Sequence, residues 1–152
     1  MTDESAITVR REIPASSKAI FEVISLPSRH PELDASGFVR SDERTDRITE
    51  VGQTFRMNMA GDHMGGEYQT DNLVTGFDPD KMIAWKTAPA GQEPPGWEWL
   101  WELKAQGPDS TEVSLTYDWS KVDEQFRKKI SFPLVPESAL EDSLGRLASA
   151  VS

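Results

Sequence analysis

Apolar and polar residues alternate over most of this chain, and the repeat is two far more often than 3.6. Residues 6–13 set Ile7, Val9 and Arg11 against Thr8, Arg10 and Glu12, the pattern of a half-buried strand. Residues 37–43 alternate in the same way. Residues 53–60 place Phe55, Met57 and Met59 on one face, and residues 67–77 place Tyr68, Thr70, Asn72 and Val74 together. Residues 81–87 pair Ile83 with Trp85. From Trp97 onward one face is Trp97, Trp99, Trp101 and Leu103, while Glu98, Leu100, Glu102 and Lys104 form the other, because successive side chains of a strand point to opposite sides. A last strand over 111–119 carries Val113, Leu115, Tyr117 and Trp119 on one face. Ala60-Gly61-Asp62, Asp78-Pro79-Asp80 and Gly107-Pro108-Asp109 read as turns. Strands joined by short turns predict an antiparallel meander.

The helical period occurs in fewer places. Pro14-Ala15-Ser16 ends the first strand, and Ser16 or Ser17 can cap a helix with Ile20, Val23 and Ile24 on one stripe and Phe21 beside it. Pro27 and Pro31 bracket a second short helix or turn that contains His30. Pro136 suits the first turn of a C-terminal helix whose Leu140, Leu144, Leu147 and Val151 recur at helical spacing, with Glu137, Glu141 and Asp142 toward its positive end. Gly145, in the middle of that helix, serves either close approach to the sheet or cavity volume. Residues 88–96 read as an exposed loop, residues 121–129 as a short polar helix and residues 132–135 as an extended link. One sheet with a greasy face and one amphipathic helix to cover it predict a two-layer α+β domain. With 152 residues and no break in composition, that domain is expected to span 1–152.

Composition removes several functions. The formal charge of −10 repels phosphate backbones and anionic lipid headgroups, so nucleic acid is not an expected partner. Without cysteine there is no disulfide framework and no thiolate chemistry. No apolar run is long enough to span a membrane, and the acidic start Met1–Ser5 lacks the pattern of a signal peptide. A cytoplasmic protein is expected.

The order of elements, together with a series of short motifs, resembles the START-like or helix-grip superfamily. The motifs are Ile13-Pro14-Ala15-Ser16, Ile20-Phe21-Glu22-Val23, Val51-Gly52-Gln53-Thr54-Phe55, Asn72-Leu73-Val74 leading to Phe77-Asp78-Pro79, Ile83-Ala84-Trp85 and Ser110-Thr111-Glu112-Val113. The stretch His30-Pro31-Glu32-Leu33-Asp34-Ala35-Ser36-Gly37 is similar to one in a bacterial branch often labelled polyketide cyclase. The resemblance implies a curved antiparallel sheet of six to seven strands wrapped around a long C-terminal helix, with two short helices after the first strand. It also implies a cavity between sheet and helix for a lipid, polyketide or other aromatic molecule. Fold alone does not fix function.

On that basis the candidate ligand contacts are Met57, Met59, Asn72, Trp85, Trp99, Trp101, Tyr117 and Trp119 from the strands, and Leu140 and Leu144 from the helix. All of these are explicable as core: three buried indoles contribute roughly 10–15 kcal/mol, the size of a whole domain's net stability. A cyclase- or dehydratase-type enzyme without a metal or cofactor is the alternative, with His30, Asn72 or Tyr68 supplying proton transfer or hydrogen bonds. His30 would be oriented by Asp34; a Ser36-His30-Asp34 triad is rejected, since nothing supplies a nucleophile elbow or an oxyanion hole. His63 falls at a hairpin tip, and its nitrogen has no companion ligands for zinc. A third reading is a protein-interaction domain like the chaperone activators, and a homodimer is left open.

Overall fold

A computed structural model describes residues 6–34, 38–43, 46–61, 65–91, 96–122 and 135–151. Seven strands form one antiparallel sheet in the order β1-β7-β6-β5-β4-β3-β2. They are β1 (Ala6–Ile13), β2 (Val39–Asp42), β3 (Thr54–Gly61), β4 (Gly66–Asp78), β5 (Met82–Pro89), β6 (Glu98–Gly107) and β7 (Ser110–Asp118). The meander from β2 to β7 runs in sequence, and β1 closes the far edge by pairing with β7 from Ala6↔Asp118 to Ile13↔Thr111. Between β1 and β2 lie α1 (Ser17–Ile24), a 3₁₀ turn (Pro27–Arg29) and α2 (His30–Leu33). The C-terminal helix, α3, runs Glu137–Ala150.

Local chemistry accounts for these boundaries. Ser16 caps α1, its side chain accepting from the Ala19 N–H at 3.1 Å. Arg47 holds the other end, donating to the Glu22 carbonyl at 2.7 Å and to Ser25 Oγ at 2.8 Å, where unpaired carbonyls favour a cation. The expected stripe of Ile20, Phe21, Val23 and Ile24 is buried. Pro136 stands at the N-cap of α3 rather than inside its first turn, with an extended backbone.

One expectation is revised, and the structure adds two details. Ala88 and Pro89 continue β5 instead of opening a loop, through the pairs Asp71↔Ala88 and Thr70↔Pro89, and Ala88 is buried. The ladder on β4 shifts register between Val74 and Gly76. This bulge returns Phe77 to the inner face, where it meets Phe21 edge-on at 5.5 Å. Gly145 faces the Arg11 guanidinium across the helix–β1 contact: a Cβ there would lie 3.4 Å from Nη1. The polar helix expected over 121–129, the link over 132–135 except for Val135, and Ser36 and His63 lie outside the described residues.

α3 packs against β1 and β7, and against α1 and α2. Leu140, Leu144 and Leu147 are its buried stripe, while Val151 at its end is half-buried. The helix therefore covers one side of the concave face. The inner rows of β3, β4 and β5 lie beyond its main contacts.

Candidate ligand cavity

A partly enclosed cavity of ≈ 160 Å³ lies in that uncovered part of the concave face. Its walls are the inner rows of consecutive strands. Phe55, Met57 and Met59 come from β3, Tyr68, Thr70 and Asn72 from β4, and Trp85, Thr87 and Pro89 from β5. Trp97, just ahead of β6, joins Trp99 and Trp101, and β7 adds Leu115 and Tyr117. Leu140 and Ser143 of α3 close one side, and His30, Leu33 and Asp34 close another. Besides Trp99, the half-buried members are Met59, Tyr68, Pro89, Asp34, Phe38 and Val39. The pairs Val39↔Met59, Met59↔Tyr68 and Thr70↔Pro89 gather them at one end of the sheet, which makes that end the mouth.

Of the candidate contacts, Met57, Met59, Asn72, Trp85, Trp99, Trp101, Tyr117 and Leu140 line the cavity. Trp119 and Leu144 do not. Both are buried in the core, and Trp119 tilts against Tyr117 at 5.1 Å. The sequence pattern did not single out Leu33, Phe38, Val135 or Ser143. Trp99 and Tyr117 stack almost parallel at 4.3 Å, a cross-strand pair fixed by their register.

The polar groups are few and specific. Asn72, 3% exposed, receives the Thr87 hydroxyl on Oδ1 at 2.7 Å and donates Nδ2–H to the Phe55 carbonyl at 3.2 Å and to Thr70 Oγ1 at 3.3 Å. The Phe55 carbonyl only accepts, so it fixes the amide's orientation. Both amide protons are thereby spent within the protein. The relay runs Thr87 to Asn72 to Thr70 and leaves the Thr70 proton without an acceptor among the described residues.

His30 is 8% exposed. Its ring stacks on Trp85 at 5.0 Å with 15° between planes, and meets Phe55 edge-on at 5.5 Å. Nε2 lies 2.7 Å from the Ile24 carbonyl. A carbonyl cannot donate, so Nε2 carries the proton. This bond, rather than Asp34, orients the ring: the Asp34 carboxylate receives the Val39 N–H at 2.9 Å and acts on the imidazole through space. Burial pushes the His30 pKa down to about 4, against smaller opposing effects of the Ile24 bond, Asp42 and Asp34. Burial and the Asp34 charge push the Tyr68 phenol up to about 12. Among the described residues no cluster of three or more histidine or acidic side chains is arranged to hold a metal ion, and no helix is long and apolar enough to cross a membrane.

Comparison with solved structures gives this architecture a family of shapes. Major latex-like protein 151 from Panax ginseng superposes with a TM-score of 0.62 at 13% identity, over 96% of this chain and 93% of that one. The Aha1 dimer from Colwellia psychrerythraea gives 0.58 at 20% identity, over 96% and 95%. DynU16, from the dynemicin biosynthetic locus, gives 0.64 at 17% identity, over 98% of this chain and 48% of that one.

The chain has the START-like helix-grip fold.

At these identities the likeness is one of shape, and the helix-grip neighbours differ in what their names say of them. No family model matches the sequence. An uncharacterized protein of Mycobacterium tuberculosis is 31% identical over 108 residues, which take in 71% of this chain and 45% of the relative. The helix-grip chain thus spans about half the length of the curated relatives it matches.

Proposed function

We propose that this protein binds a small apolar or aromatic ligand in the cavity between the sheet and α3. The observation that carries the reading is the cavity wall itself. It is a nearly continuous aromatic and thioether surface, and the buried amide of Asn72 within it is already satisfied by Phe55, Thr70 and Thr87. Apolar walls with a few placed polar groups are the ordinary composition of ligand sites. The volume narrows the ligand. An apolar cavity of about 150 Å³ takes one benzene ring, so ≈ 160 Å³ accommodates a ring, and a longer lipid or polyketide chain has to project through the mouth.

Binding is favoured over a cyclase- or dehydratase-type reaction by the titratable groups. A general acid or base works best with a pKa near the operating pH. His30 and Tyr68 are displaced in opposite directions, to about 4 and about 12, and Asn72 has no proton left to offer.

The test is occupancy of the cavity. Toluene or xenon added to the ¹⁵N-labelled protein should shift the indole N–H signals of Trp85, Trp99 and Trp101 and raise the melting temperature. Replacing Ser143 by Leu should fill the space and abolish both effects. Unmoved indole signals with both probes would refute the proposal.

A further inference from the structure

Resting on that reading, we infer that the preferred ligand is a neutral aromatic ring bearing an O–H or N–H group, which donates to Nδ1 of His30, and that anionic analogues are excluded.

The histidine is a built acceptor. With the Nε2 proton committed to Ile24 at 2.7 Å, Nδ1 presents a bare lone pair. It has no partner among the described residues. No sealed side-chain nitrogen or oxygen in those residues lacks a partner, so Nδ1 borders open space, and the space His30 borders is the cavity. The stack on Trp85 and the edge contact with Phe55 fix the ring plane, so the direction of the lone pair is set before any ligand arrives. A buried acceptor discriminates strongly for a donor, because an analogue lacking one leaves it unpaired.

Two further features point the same way. The Thr70 hydroxyl ends the Thr87–Asn72–Thr70 relay with an unspent proton, which suits the oxygen of a phenol that is already donating elsewhere. Among the described residues no Lys or Arg lines the cavity, and Asp34 is the acidic side chain that does. A carboxylate or phosphate entering past Asp34 loses its water and gains no counter-charge. The site therefore separates phenols and indole-type N–H rings from the acids of the same shape.

The experiment compares toluene, p-cresol, 4-methylanisole and p-toluate on the intact chain, by calorimetry and by ¹⁵N spectra of the histidine ring. The chain has only two histidines, so the signals assign readily. One neutral hydrogen bond predicts p-cresol binding about tenfold tighter than 4-methylanisole, an Nδ1 resonance that moves only with p-cresol, and no binding of p-toluate. His30→Phe keeps an aromatic ring against Trp85 and should retain toluene while losing the preference for p-cresol. The wild-type Nδ1 signal decides the matter even if that variant does not fold. Toluene binding with p-cresol no tighter than 4-methylanisole, or p-toluate binding as well as p-cresol, overturns this inference and leaves the ring-binding reading standing. Failure of all three neutral probes overturns both.

Discussion

Acidification should destabilise this protein in part through His30, whose contribution can be isolated. His30 is neutral in the folded chain down to a pKa of about 4, whereas the unfolded chain protonates it near 6.5. Between those values the unfolded state holds more protons, so stability falls as pH falls through 6.5 and stops falling below 4. From pH 7 to pH 5 the loss attributable to this ring is about 2 kcal/mol, rising toward about 3 kcal/mol at the bottom of the window. Asp34 and Asp42 face the ring and oppose the shift, but burial dominates. His30→Gln removes the titration while keeping an N–H able to reach the Ile24 carbonyl. Urea unfolding followed by the fluorescence of the five tryptophans, at pH 7 and pH 5, gives the two stabilities for each protein. Carboxylates common to both proteins cancel in the difference. The wild type should lose about 2 kcal/mol more than the variant over this interval. Equal losses would show that the ring is not buried neutral, and would remove its role as a fixed acceptor.

Four substitutions test the framework around the site by the same unfolding assay. Gly96 has φ +126, and a Cβ there would overlap the Lys121 carbonyl and come within 2.9 Å of the Val122 nitrogen. Gly96→Ala should therefore cost about 3 kcal/mol, and a neutral result would mean the crossing of these backbones is wrong. Gly145→Ala should stabilise by about 0.5–1 kcal/mol, since the new methyl meets only the movable Arg11 guanidinium at 3.4 Å; destabilisation would contradict that packing. Asn72→Ala strands the Thr87 hydroxyl and the Phe55 carbonyl and should cost about 2–3 kcal/mol, whereas Thr87→Val, which removes one donor, should cost about 1 kcal/mol. The reverse order would break the proposed relay.

The sheet was legible in the chain because its inner rows obey a strict repeat of two. Met57 and Met59, Tyr68 to Asn72, and Trp99 and Trp101 fall on the cavity side as the alternation requires. The repeat fails where the backbone breaks it, at the bulge before Gly76, and there Phe77 could not be placed. His30 was visible as a candidate, but its character was not. Its neighbours in sequence are polar or proline, and the groups that make it a neutral acceptor, Trp85, Phe55 and the Ile24 carbonyl, converge on it only through tertiary packing. Asn72 stood out as an amide on an apolar row. That its protons are spent on its own neighbours follows from the register Asn72↔Thr87 and Phe55↔Asn72, which no single strand pattern contains.

The same geometry explains why the tryptophan strand can be both core and cavity wall. α3 rests on β1 and β7, so Trp101 is covered, at 5% exposed, while Trp99, two residues earlier, remains half-buried against Tyr117. Were it closed and dry, an apolar cavity of ≈ 160 Å³ would forgo up to about 4 kcal/mol of packing at about 24 cal/mol per Å³, a large share of a net stability of about 5–15 kcal/mol. Flexible side chains would relax into such a space. Here the walls are rings held in pairs, Trp99 on Tyr117 and His30 on Trp85. Moving any one of them breaks a stack or, for His30, a buried hydrogen bond. The void is thus kept open by the aromatic contacts that line it, and a ring entering it would regain the forgone packing without rearranging the walls. That pre-organisation supports a binding role better than the number of aromatic residues does.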